Sequence, residues 1–149
     1  MNTKVRTAAL LIPLLLVACR TGHSADGGTR SDSGVTSRDG AIVLSGRALS
    51  DRRGSALDAM RGRVPNFKVR RTGRGQCPEI NIRSHQSFQG SIKPKVYVDR
   101  TLSSDTCILE SLRSENIESI EVYPQGFTRR SGYATHAHGL ILVFMRGRQ

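Results

Sequence analysis

Polar and apolar positions divide the chain into three stretches. From Ala8 to Val17 the residues are apolar, interrupted only by Pro13; Lys4 and Arg6 precede the run and the small Ala18 follows it. This is the layout of an export signal. The run is about ten residues long, whereas a helix needs ~20 to cross the hydrocarbon, so the pattern predicts a signal peptide over 1–18 and not a membrane span. From Arg20 to Gly40 the chain is mostly Gly, Ser, Thr, Asp and Arg. Such a stretch cannot bury enough surface to fold and predicts a flexible tether over 19–40. Apolar positions return at Ala41, and the remainder, 41–149, is enough for one core and not two.

Within that third stretch the spacing alternates between two periods. Ala41-Ile42-Val43-Leu44 is a β-branched run ending at Ser45-Gly46, a first strand. Ser55 and Asp58 have the spacing of a capping box; Leu57, Met60 and Val64 follow at helical intervals and Pro65 stops them, so a first helix is expected from Ala56 to Arg63. Phe67 and Val69, then Ile80 and Ile82, alternate with polar residues as half-buried strands do. Val96-Tyr97-Val98 is a further strand. Ile108, Leu109 and Leu112 mark a short second helix with Asp105 or Ser104 as cap. Ile117, Ile120 and Val122 lead into a strand that ends at the Pro124-Gln125-Gly126 turn. Leu140 to Met145 is apolar without alternation, as in a central strand covered on both faces. The predicted class is α+β, a small mixed sheet with two short helices packed on it.

Charge narrows the partners. Lys and Arg number 23 against 12 Asp and Glu; cleavage before Cys19 removes Lys4 and Arg6 and no acid, taking the formal charge from +11 to +9. That sign suits anionic lipid or glycolipid headgroups. Nucleic acid is not expected, because the chain carries an export signal and has few aromatic rings for base stacking. The densest basic group, Arg61, Arg63, Lys68, Arg70, Arg71 and Arg74, is the candidate surface for an anionic partner. Alternation puts Lys68 and Arg70 on the face opposite Phe67 and Val69. The same charges also suit a soluble strand face protected from edge pairing.

Leu16-Val17-Ala18-Cys19 resembles the lipobox of bacterial lipoproteins. The resemblance implies acylation of Cys19 and stable membrane attachment, since two or more chains hold where one does not. Arg20, where aspartate would signal retention, implies the outer membrane, facing the periplasm. With Cys19 given to lipid, Cys77 and Cys107 remain as an even pair in an oxidising compartment and are expected to form a disulfide. Closing that loop stabilises the fold by roughly 3–4 kcal/mol in the chain-entropy account.

A second resemblance runs through the folded part. Val64-Pro65-Asn66-Phe67-Lys68-Val69, Ile80-Asn81-Ile82-Arg83, Val96-Tyr97-Val98-Asp99, and the pair Asn116–Val122 and Gly139–Val143 resemble, in order, segments of the plug domain of TonB-dependent outer-membrane receptors. The resemblance implies a plug-like fold and a habit of binding. Ser84, Asn66 and Arg100 stand where the family usually has glycine, so those tight turns are expected to be built differently. A transmembrane barrel is not expected beside it, and a free-standing plug-like binding module is expected, docked on an envelope protein or outer-membrane transport component. The alternative is a cationic structural protein on anionic envelope lipid or glycolipid.

Residues for chemistry are sparse, and neither an enzyme nor a bound cofactor is expected. No serine sits in a nucleophile elbow. Glu110, Glu115, Glu118 and Glu121 read as charges on solvent faces. Thr72-Gly73-Arg74-Gly75 lacks the lysine-serine and helix of a phosphate loop and reads as a mobile turn. His136 and His138 share a face of an extended segment, but zinc wants three or four ligands. His85 and His23 cannot be placed beside them from sequence, so the pair reads as a polar turn and no metal is expected. Arg129-Arg130 is a second basic pair, in the loop before the last strand.

Overall fold

The unbroken apolar run becomes the middle of the fold. In the structure, a computed structural model describing residues 34–147 except 52, 72 and 83–92, strand β8 (Leu140–Met145) lies between β7 (Ile117–Tyr123), antiparallel, and β5 (Lys95–Val98), parallel. β2 (Ala41–Ser45) pairs with β7, β1 (Val35–Arg38) with β2, and β6 (Thr101–Leu102) with β5. Among the described residues these make one sheet in the order β1-β2-β7-β8-β5-β6, with β3 (Lys68–Arg70) and β4 (Glu79–Asn81) paired separately. The class is α+β, as the periodicity predicts. Two strands expected in the mixed sheet, around Val69 and Ile80, instead form this detached hairpin.

Three short helices and the hairpin cover one face of the sheet. Helix α2 (Ala56–Met60) starts at the predicted capping box: Ser55 Oγ accepts from Asp58 N–H at 3.2 Å, and Asp58 accepts in return from Ser55 N–H at 3.2 Å. It ends three residues before the expected Arg63, because Arg61 turns extended and Gly62 takes a positive φ of 74°. Helix α3 (Ile108–Ser111) begins at Cys107 without a side-chain cap, so the expected cap is corrected: Asp105, two residues earlier, accepts from the Cys107 N–H at 2.8 Å. Helix α1 (Arg47–Ser50) was not predicted; its four residues hold one buried pair, Ala48 and Leu49. Leu44, Leu49, Leu57, Met60, Ile80, Ile120 and Ile141 meet in the core between the layers.

The tether expectation stops short at its carboxyl end. Val35–Arg38 is an edge strand joined to β2 by Asp39-Gly40, both at positive φ (50° and 77°), the two-residue turn whose twist suits a hairpin. Its polar residues need no second covered face, so their composition resembled a linker. The signal peptide, Cys19 and the rest of the tether lie outside the described residues, as do His23, Ser84 and His85.

The expected redesign of the tight turns is also corrected. Asn66 and Arg100 keep the glycine-like backbone, at φ 58° and 72°. Asn tolerates this region. Arg100 is carried there by the Asp99-Arg100 turn that pairs Val98 with Thr101, and Asp99 Oδ1 accepts from the Met145 N–H at 3.0 Å.

Candidate functional site

The second face of the sheet carries the chemistry. Alternation sends Ala41 and Val43 of β2, Glu121 and Tyr123 of β7, Leu140, Leu142 and Phe144 of β8 and Tyr97 of β5 away from the helices; the loop 124–139 lies over them, with the Tyr133 ring edge-on to Tyr97 at 5.1 Å. Glu121 sits in the row between Val43 and Leu142 and is only 6% exposed. A carboxylate buried among apolar side chains must be paired or neutralised.

Arg130 of the covering loop supplies the pair. Its Nη2 donates to Glu121 Oε1 at 2.6 Å and its Nε to Oε2 at 2.8 Å, while the Tyr123 hydroxyl donates to Oε2 at 2.8 Å. The two-pronged fit is the geometry at which guanidinium and carboxylate bind best. The guanidinium also lies 5.1 Å from the centre of the Phe144 ring, an attraction of the cation for the ring face. Hydrogen bonding to Glu121 raises the Arg130 pKa, and burial, the largest influence, raises that of Tyr123. Both groups therefore stay protonated, and the network fixes the loop to the sheet.

Beside this network is a polar cavity of about 520 Å³ whose lining includes Arg38, Asp39, Glu121, Tyr123, Arg129 and Arg130. Asp39 stands 3.7 Å from Arg38 and 4.0 Å from Arg129. The exposed Arg129 thus reaches the β1–β2 turn, while Arg130 is committed to Glu121. Reading Glu121 as a solvent-face charge is corrected here: its strand position faces outward, but the loop buries it. The adjacent Tyr123 was the one sign in the sequence that this row is apolar.

The six-residue basic group is distributed over several partners. Arg70 is held by Glu79 across the β3–β4 hairpin (Nη2 to Oε2, 2.7 Å), Arg71 by Glu110 of α3, and Arg61 stands 3.6 Å from Asp58. Arg63 donates to the Ala59 carbonyl at 3.3 Å. Lys68 is exposed on β3, and Arg74 is exposed beside a second cavity of about 600 Å³ that Arg71, Gln76, Cys107 and Glu110 also line. Ion pairing thus engages Arg61, Arg70 and Arg71, half of the group that the sequence suggests for this surface.

Cys77 and Cys107 are joined, with Cα atoms 4.6 Å apart. Next to the bridge the buried Thr106 hydroxyl donates to the Pro78 carbonyl at 2.5 Å. Disulfide, hydrogen bond and the Arg71–Glu110 pair together fasten the hairpin to α3.

His136 and His138 close the covering loop. His136 N–H donates to the Gly126 carbonyl at 2.8 Å and Gly139 N–H donates to the His136 carbonyl at 3.0 Å. Gly126 has φ 77°, and a Cβ there would come within 1.7 Å of the His136 carbonyl oxygen, so the approach needs glycine. The two rings stand 5.3 Å apart, and both Nδ1 atoms are buried without a hydrogen-bond partner among the described residues. Burial, aided by the charge of Lys95 and by His138, lowers the pKa of His136 below the ordinary 6.5, against a raising contribution from the Gly139 backbone.

Comparison with protein-family models and with curated proteins finds no match. Solved structures do match. A chain in the "closed-closed" state of the RagAB peptide importer has a TM-score of 0.55 and 20% identity over 75% of this chain, and a chain of the RagAB peptide transporter has a TM-score of 0.50 at 20% identity over 75%. The likeness is one of fold. In both cases this chain spans 13% of the length of the other.

Proposed function

We propose that this chain is a cell-envelope lipoprotein, attached through acylated Cys19 to the outer membrane and facing the periplasm, whose plug-like domain binds a protein of an outer-membrane transport system. One observation carries the reading. The segments that resemble a receptor plug fall in order on β3, β4, β5, β7 and β8, in a fold that resembles part of a peptide-importer chain. Exposed Phe127, 56% accessible on the loop over the outer sheet face, gives that face an apolar contact point.

A photo-crosslinking residue at Phe127 in cells should give a reproducible adduct with an outer-membrane β-barrel protein. Absence of any reproducible protein adduct overturns the binding reading. Cys19→Ser should abolish acyl-chain incorporation and release the protein from the membrane fraction; an unchanged distribution overturns the lipid attachment. The alternative, a cationic domain on anionic lipid, draws on a net positive charge but on a basic group of which Arg61, Arg70 and Arg71 are already ion-paired. It requires vesicle binding by the unacylated domain that falls steeply with salt.

A further inference from the structure

The spacing of the two histidine rings matches that of two imidazoles on a shared ion. Two imidazoles bound to one tetrahedral ion at the usual metal–nitrogen distance of ~2.0–2.1 Å have ring centres roughly 5 Å apart. The centroids of His136 and His138 are 5.3 Å apart, with ring planes at 73°. Edge-to-face packing of the rings accounts for the spacing, but it leaves both buried Nδ1 atoms without partners. A buried, unsatisfied polar atom costs about 1–3 kcal/mol. Two of them, two residues apart in a loop held by Gly126 and Gly139, form a ready donor set.

We infer that His136 and His138 form a two-imidazole site for a borderline first-row divalent cation, Cu²⁺ ahead of Zn²⁺. Neutral imidazole nitrogens favour such ions over Mg²⁺ or Ca²⁺, and copper heads the affinity order for nitrogen ligands. No third His, Cys, Asp or Glu joins them among the described residues; the one cluster of three such groups there, Cys77, Asp105 and Cys107, contains the disulfide. Among the described residues the protein therefore supplies two imidazole ligands and no third from these residue types. Lys95 at the start of β5 is close enough to act on the charge of His136, and its own charge opposes a bound dication.

The test uses the full, tag-free chain, stripped with chelator and titrated separately with Cu²⁺ and Zn²⁺ by calorimetry, with histidine ring signals followed by nuclear magnetic resonance. One equivalent should bind, copper more tightly than zinc, and the affected ring signals should be those of His136 and His138. His136→Gln and His138→Gln should each weaken binding at least about tenfold, no less than loss of an outer-shell partner does. Lys95→Gln, which leaves both ligands in place, should tighten it. His23→Gln with His85→Gln should leave affinity unchanged; a loss there places the ion elsewhere and overturns the site. Equal binding by the native chain and the His136→Gln, His138→Gln double variant also overturns it.

Discussion

In the main sheet β8 is paired along both edges and buried on both faces, whereas the β3–β4 hairpin pairs over three residues and meets the body of the protein through a few specific ties. Leu140, Ile141, Leu142 and Val143 are at most 1% exposed. Their contribution comes from area withdrawn from water, about 1.5–3 kcal/mol for each large aliphatic side chain, and is spread over many contacts. The hairpin offers Ile80 and the partly buried Val69 to the same core, with Phe67 and Ile82 at its ends, but its outward residues are charged. Besides that packing, Cys77–Cys107, Thr106–Pro78 and Arg71–Glu110 tie it in place. A wide apolar interface tolerates local change gradually; a stapled one loses position when a staple goes.

Four variants, and an acid titration compared with a fifth, probe that contrast. Ile141→Ala removes side-chain volume from the centre of the sheet and should cost about 4 kcal/mol in denaturant unfolding; a loss below ~1 kcal/mol would mean that β8 is not the centre of the cooperative unit. Cys77→Ser with Cys107→Ser should cost roughly 3 kcal/mol, and hydrogen exchange should accelerate first at the β3–β4 amides while β7 and β8 stay protected. Uniform acceleration would show that the staple serves the whole domain.

Glu121→Gln tests the outer face. It keeps the shape but removes the charge that holds Arg130, and because Arg130 is about half exposed the loss should be modest, about 1–2 kcal/mol, with amide protection falling in the loop 124–139. Arg100→Gly should stabilise by about 1 kcal/mol by relieving a left-handed backbone. No gain would indicate that the Asp99-Arg100 turn bears no strain.

The smallest effect is expected from Asp58. Its hydrogen bonds to Ser55 hold its pKa below the ordinary 3.8. The contribution is therefore present above pH 3.8 and lost as the pH falls through the lower, folded-state value. Its half-exposed position keeps the step small, and Asp58→Asn should remove it from an acid titration of stability.

Legibility in the sequence followed the range of the interaction. The capping box, the apolar run of β8 and the residues of β5 and β7 were readable because each depends on neighbours a few positions away. The Asp39-Gly40 turn was also readable in principle. It lay at the end of a polar stretch, and the low apolar content of Val35–Arg38 outweighed the turn signal. Helix α1 holds a single buried pair and β6 two exposed residues, so neither repeats a period that spacing can reveal.

The candidate site was much less legible. Glu121 alternates as a solvent-facing residue of β7, and nothing local says that a loop nine residues later returns an arginine to it. The charges of Arg61, Arg70 and Arg71 were counted correctly, but their partners Asp58, Glu79 and Glu110 come from three elements. Counting charge does not reveal pairing.

The sequence by itself determined where apolar surface must be buried and which short segments turn or cap. These depend on local periodicity and composition. Only the tertiary structure decided that β3 and β4 leave the main sheet, that the covering loop buries Glu121, and that two histidines in that loop have buried, unpartnered nitrogens. Those outcomes depend on which distant residues share a face, and burial and electrostatics act through space and not along the chain.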